Sequence, residues 1–184
     1  MLEIEIANAE FWNNEAEEFV SIPACTLVLE HSLISLSKWE AKWEKPFLAD
    51  EPKSIEETRD YIRCMTINKH VDPNVYLALT NANIETVNAY VAKPMTATTI
   101  NKRAAEGSSR RSRKEILTAE IIYYYMIALG IPFECEKWHL NRLIMLIQVC
   151  NIKNAPKQKM SKSNAAKQQR SLNAQRRARS GSRG

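Results

Sequence analysis

Ser37-Lys38-Trp39-Glu40-Ala41-Lys42-Trp43-Glu44-Lys45-Pro46-Phe47-Leu48 holds two of the four Trp of this 184-residue chain, four residues apart. Positions i and i+4 share a face of a helix. The spacing therefore predicts one aromatic ridge, with Lys38, Glu40, Lys42, Glu44 and Lys45 largely around it. Pro46 stops the helix, and Phe47 and Leu48 fold back near the ridge. An indole joins a large apolar body to an N–H that needs an acceptor, which suits a core wedge and a partner-binding surface alike. Composition favours the core. The surface reading makes Trp39, Trp43 and Phe47 candidate protein-binding residues.

Upstream of this block, Leu2, Ile4 and Ile6 alternate with Glu3, Glu5 and Ala7. A period of two is that of a half-buried strand. A second short strand is expected at Thr26–Glu30, and the two can pair in a small sheet. Everything afterwards reads helical. Ser32 can cap a helix to about Glu44. Ser54 with Glu57 is a capping box for a helix through Met65, with Ile55, Ile62 and Met65 inward and Tyr61 beside them. Asp72-Pro73 opens a short helix through Leu79. Asn81 or Asn83 opens another, with Ile84, Val87 and Val91 inward.

Downstream, Thr118 opens a helix that Gly130 closes, and a last helix is expected from about Cys135 to Cys150. These two helices are apolar on nearly every side, through Ile121–Leu129 and Leu143–Cys150. A surface helix needs only one apolar stripe. Either the pair is a central hairpin, or one face is covered by another chain.

Charge is segregated along the chain. Residues 153–184 carry five Lys and five Arg and no acid, so residues 1–152 are left with a net charge of −5. Within 101–114, Lys102, Arg103, Arg110, Arg111, Arg113 and Lys114 face one acid, Glu106. Both basic segments have too few apolar residues to offset the entropy of ordering. The expected fold class is therefore mainly α with a small N-terminal β element (α+β). A compact helical body, 1–155, carries a mobile basic loop at 101–114. A disordered, flexible basic tail follows at 156–184, helical at most in patches. Arg110, Arg111 and Arg113 of the loop, and Arg170, Arg176, Arg177 and Arg179 of the tail, are candidate electrostatic contacts. Such segments touch nucleic acid or acidic protein surfaces. No aromatic residue lies in 153–184, so nucleic acid would be met non-specifically, without a stacking platform.

Several function classes find no support. No Gly-rich phosphate cradle, Ser/His/Asp pattern or His-Glu-x-x-His occurs, so a non-enzymatic role without catalytic residues or cofactor is expected. Cys135 and His139 stand at i and i+4, but the four Cys form no Cys-x-x-Cys pair, and buried free thiols are expected rather than zinc ligands. The acidic N-terminus does not look like an export signal, and no apolar stretch reaches the ~20 residues of a membrane helix.

Glu136-Lys137-Trp138-His139-Leu140-Asn141-Arg142 is the densest polar constellation. Trp138, Asn141 and Arg142 stand at i, i+3 and i+4. One reading is a helix start where Arg142 pairs with Glu30, Glu40 or a similar acid. The other is a recognition face, since Trp and Arg often anchor interfaces.

Four blocks together carry a resemblance: Leu29-Glu30-His31-Ser32-Leu33; Ser37-Lys38-Trp39-Glu40 through Leu48; Met95-Thr96-Ala97-Thr98-Thr99; and Ile131-Pro132-Phe133-Glu134-Cys135 through Trp138-His139-Leu140-Asn141-Arg142-Leu143. In these the chain resembles a family of small proteins of tailed bacteriophages, the tail assembly chaperones, over about residues 2–155. The resemblance implies a non-enzymatic assembly factor of the host cytoplasm. Its partners would be the tape-measure protein, which such chaperones hold soluble, and the tail tube protein. Self-association is a further expectation. The alternatives are a structural virion component (neck, connector or tail-completion protein) and a nucleic-acid-binding accessory protein that uses the basic tail.

Overall fold

The computed structural model describes residues 1–13, 17–100, 116–155 and 162–180. The chain is mainly helical, with a small N-terminal β element. It divides into two compact units, Met1–Asn151 and Ile152–Gly184.

Four strands open the first unit: β1 (Leu2–Ile6), β2 (Ala9–Asn13), β3 (Glu18–Ile22) and β4 (Cys25–Leu29). β1 and β4 pair antiparallel, with Leu2 opposite Leu29, Ile4 opposite Leu27 and Ile6 opposite Cys25. The pleat turns Ile4, Ile6, Leu27 and Leu29 into the core and Glu3 and Glu5 to solvent. This is the strand pair that the period of two predicts. The sequence reading misses the hairpin between them, in which β2 pairs with β3 and Trp12 lies opposite Phe19.

α1 (Leu33–Trp43) begins at Ser32, whose hydroxyl accepts the Ser35 N–H while the Ser35 hydroxyl accepts the Ser32 N–H. It ends at Glu44, in the left-handed region at φ 52°. α2 (Ile55–Met65) has the expected capping box of Ser54 and Glu57. Its buried stripe, however, is Glu57, Asp60, Tyr61 and Cys64, with Ile62 and Met65, whereas Ile55 is exposed. Two acids take the place that sequence periodicity assigns to Ile55, because donors from α1 and the segment after it meet them there. Asp72-Pro73 opens the expected short helix, which is a 3-10 helix over Pro73–Ala78. α3 (Asn81–Val91) opens at Asn81, the first of the two expected positions, and is capped by Thr80.

α4 (Ala119–Ala128) follows Thr118 and ends in Gly130, at φ 63°, where the Ile131 N–H closes on the Met126 carbonyl at 2.8 Å. This left-handed position suits a residue without Cβ. The segment from Cys135 does not start the next α-helix. Phe133–Lys137 is a 3-10 turn, and α5 runs Leu140–Asn154. The Leu140 N–H is taken by the His31 carbonyl at 2.7 Å, so a contact far away in sequence sets the helix start.

Two apolar clusters result. β1, β4, α2, the Pro73–Ala78 turn and α3 enclose Trp39. Leu33 and Leu36 pack with Ala119, Ile122, Met126, Leu140, Leu143 and Ile147. α1 thus supplies Trp39 to one cluster and two leucines to the other, which makes it the wall shared by both.

The tail departs from expectation. Residues Lys162–Ser180 form a helix, α6, where disorder is expected. The reason is local: the segment holds Ala, Gln, Lys, Arg and Leu and neither Pro nor Gly, and these are good helix formers.

Candidate partner-binding surface

Trp39, Trp43 and Phe47 are brought together, as their spacing predicts. The two indoles stack at 6.1 Å between ring centroids, and Phe47 meets Trp39 edge-on at 5.0 Å and stacks on Tyr61 at 3.8 Å. Both indole N–H groups are satisfied by α2. Trp39 Nε1 donates to the Glu57 carbonyl at 2.9 Å, and Trp43 Nε1 donates to Asp60 Oδ2 at 2.9 Å. Residues four apart on α1 thereby meet residues three apart on α2. Lys42 and Arg63 also donate to Asp60, and Lys45 donates to Glu57. Trp39 is 1% exposed, so it is a core residue and not an accessible binding anchor. Trp43 and Phe47 are half-buried against it.

Trp138, Asn141 and Arg142 also come together. The Arg142 guanidinium lies 4.1 Å from the Trp138 ring centroid. Arg142 therefore stacks on an aromatic face rather than pairing with Glu30 or Glu40. Glu30 is occupied by the N-terminal ammonium and the Tyr90 hydroxyl, and Glu40 by backbone N–H groups. The Asn141 amide donates to the carbonyls of Val91 and Lys93, at 2.9 and 2.8 Å. It closes the carbonyl end of α3, and only Trp138 and Arg142 remain presented outward. Among the described residues, Cys135 and His139 belong to no group of metal-ligating side chains.

Next to His139 lies a polar contact that no local motif signals. The His31 and His139 rings meet at 5.0 Å, both buried. His31 Nδ1 bonds the Tyr61 hydroxyl, and His139 Nε2 faces the Tyr90 carbonyl. Burial, with His139 beside it, pushes the His31 pKa down to about 3. Both imidazoles are therefore held neutral, which suits a structural joint and not a proton relay near neutral pH.

α4 buries one side and exposes large apolar side chains on the other. Ala119, Ile122 and Met126 point inward. Tyr124 and Ile127 are each 66% exposed, and Phe133, just after the Gly130 turn, is 54% exposed. Tyr123 links helix and turn: its ring lies 6.4 Å from that of Phe133, and its hydroxyl donates to Glu136 at 2.9 Å. Burial and the Glu136 carboxylate push the Tyr123 pKa up to about 12, so the phenol stays a donor. The apolar surplus of this helix is thus only half absorbed by the body. A second exposed aromatic pair, Trp12 and Phe19, meets edge-on at 5.0 Å on the β2–β3 hairpin. Two short apolar runs, Phe11-Trp12 and Phe19-Val20, separated by a polar stretch, are the signal that marks it in the sequence.

Arg170, Arg176, Arg177 and Arg179 are exposed on α6. Arg110, Arg111 and Arg113, with the basic segment 101–114, lie outside the described residues. Among those described, no helix is long and apolar enough to cross a membrane. In comparisons with known proteins, the chain matches no protein-family model, no curated protein and no solved structure.

Proposed function

We propose that this chain is a tail assembly chaperone, which keeps a tape-measure protein soluble and assists assembly of the tail tube around it. The four sequence blocks that resemble that family suggest the reading. The observation that carries it is the outer face of α4, where Tyr124 and Ile127 stand exposed on a helix whose opposite side is buried, with Phe133 exposed just after the Gly130 turn. A client that is itself a long amphipathic helix would lay its apolar stripe against such a face. Tyr and Phe provide large contact area with few torsions to freeze. No step in this role calls for catalysis or a cofactor.

The β2–β3 hairpin favours a second reading, a structural component of the virion. Its two strands pair only with each other among the described residues, so each has an outer edge on which a neighbouring subunit could add a strand. Mass spectrometry of purified particles beside infected-cell lysate separates the two. A chaperone is abundant in lysate and absent from particles. Stoichiometric presence in particles overturns the first reading in favour of the second.

A further inference from the structure

We propose that α6 binds the phosphodiester backbone of a nucleic-acid duplex. The helix has 19 residues and is about 28 Å long. It holds six cations and no acid. Lys167, Arg170, Ala174 and Arg177 follow the i, i+3, i+7, i+10 spacing of one face, and Arg176 borders it. These four cations are exposed. The rest of the helix sequence is Lys162, Arg179, Ser, Asn, Gln and Ala, with Leu172 as its one large apolar residue.

That composition selects among partners. A protein interface is anchored by aromatic or aliphatic side chains packed into pockets, and α6 has no aromatic residue. A helix lying in a membrane surface needs an apolar face opposite its cations, and one leucine does not make one. Phosphate oxygens ask only for cations and hydrogen-bond donors, which Arg, Lys, Gln and Asn supply. Without aromatic side chains there is no platform for unstacked bases, so a duplex fits better than a single strand. A helix of about 10–12 Å diameter matches the ~12 Å major groove of a DNA duplex, where phosphates flank it on both sides. Contacts of this kind carry no sequence information.

The test uses the full chain and labelled duplexes of DNA and of RNA, in two unrelated sequences each, followed by fluorescence anisotropy across a series of salt concentrations. Binding is expected at low salt, alike for both sequences of a type. The slope of log K against log salt should be about −3 to −4, from four phosphates neutralised. The relative affinity of the two duplex types identifies which nucleic acid supplies the backbone. The triple variant Arg170→Gln, Arg176→Gln, Arg177→Gln should bind at least tenfold more weakly, with a slope shallower by about three. The triple Arg→Lys variant should keep the binding. Gln and Arg have similar helix propensity, and circular dichroism checks that the helix persists. Four results overturn the proposal. They are no binding at low salt, binding to one sequence alone, an unchanged slope in the Gln variant, and salt-sensitive self-association of the chain with no affinity for any duplex. The last would assign α6 to an acidic protein surface, such as the net-negative body of a second copy.

Discussion

The Glu40 carboxylate accepts the backbone N–H of Ala119 at 2.7 Å, and through its other oxygen the N–H of Phe47 at 2.8 Å. Thr118, at the N-cap of α4, makes no side-chain cap bond. A glutamate on α1 thus satisfies a first-turn donor of a helix 79 residues away, and its negative charge sits at the positive end of that helix. The chain that folds back after Pro46 is held by the same side chain.

Replacing Glu40 with Ala leaves one buried and one half-buried donor without acceptors and is expected to cost about 2–4 kcal/mol, at roughly 1–3 kcal/mol for a buried unsatisfied group and less for the half-buried one. Glu40→Gln keeps one acceptor oxygen and should lose less. Urea unfolding of both variants checks the order. Equal stability of Glu40→Ala and wild type would show that α4 holds its start without this bond.

Trp39 and Trp43 should separate clearly on mutation. Trp39→Ala removes a fully buried indole and is expected to cost about 3–5 kcal/mol. Trp43→Phe keeps most of the packing and removes the N–H bond to Asp60, which itself keeps Lys42 and Arg63. A loss of about 1–2 kcal/mol is expected. Thermal melts of the two variants give the comparison, and a Trp39→Ala protein as stable as wild type would contradict its place in the core.

Acid should weaken the body through His31. Its folded pKa is lowered from 6.5 to about 3, so between those values the unfolded chain binds a proton that the folded chain refuses. The stability is fully present above pH 6.5 and is lost as pH falls toward 3, by an amount on the order of a few kcal/mol. Glu40, whose buried carboxyl is raised above its ordinary value, acts in the opposite sense: its contribution is lost as pH rises through the raised value. The difference between wild type and His31→Gln therefore isolates the histidine. Denaturant midpoints of both proteins from pH 4 to 8 should converge toward acid, and curves that stay parallel would remove His31 as the cause.

The face of α4 can be tested without unfolding the body. Tyr124→Glu with Ile127→Glu places charge on side chains that are 66% exposed, and stability should shift by about 0.5 kcal/mol or less for each. On co-expression, a tape-measure protein kept soluble by wild type should then pellet. If the variant holds the client in solution as well as wild type, this face is not where the client docks.

Much of the architecture is written in spacings of three or four residues. Ser32, the Ser54 and Glu57 box, Asp72-Pro73 and Gly130 mark where helices begin or end, and Leu2, Ile4 and Ile6 mark β1. These signals are legible because each bond they announce closes within one helical turn, or each side chain alternates within one strand. The aromatic ridge of Trp39 and Trp43 is legible for the same reason, but its role is not. Only the packing of α1 on α2 shows that the carbonyl of Glu57 and the carboxylate of Asp60 receive both indoles, and that Trp39 is core while Trp43 stays half-buried. The same holds for Ile55, displaced from the inner face by buried acids whose donors come from elsewhere in the chain. It holds for α5, whose first N–H is taken by the carbonyl of His31, and for α4, whose cap is Glu40. An acceptor supplied from tens of residues away leaves no trace in local periodicity, so the tertiary structure alone decides which polar groups are satisfied and which apolar residues, Tyr124, Ile127 and Phe133 among them, are left facing outward.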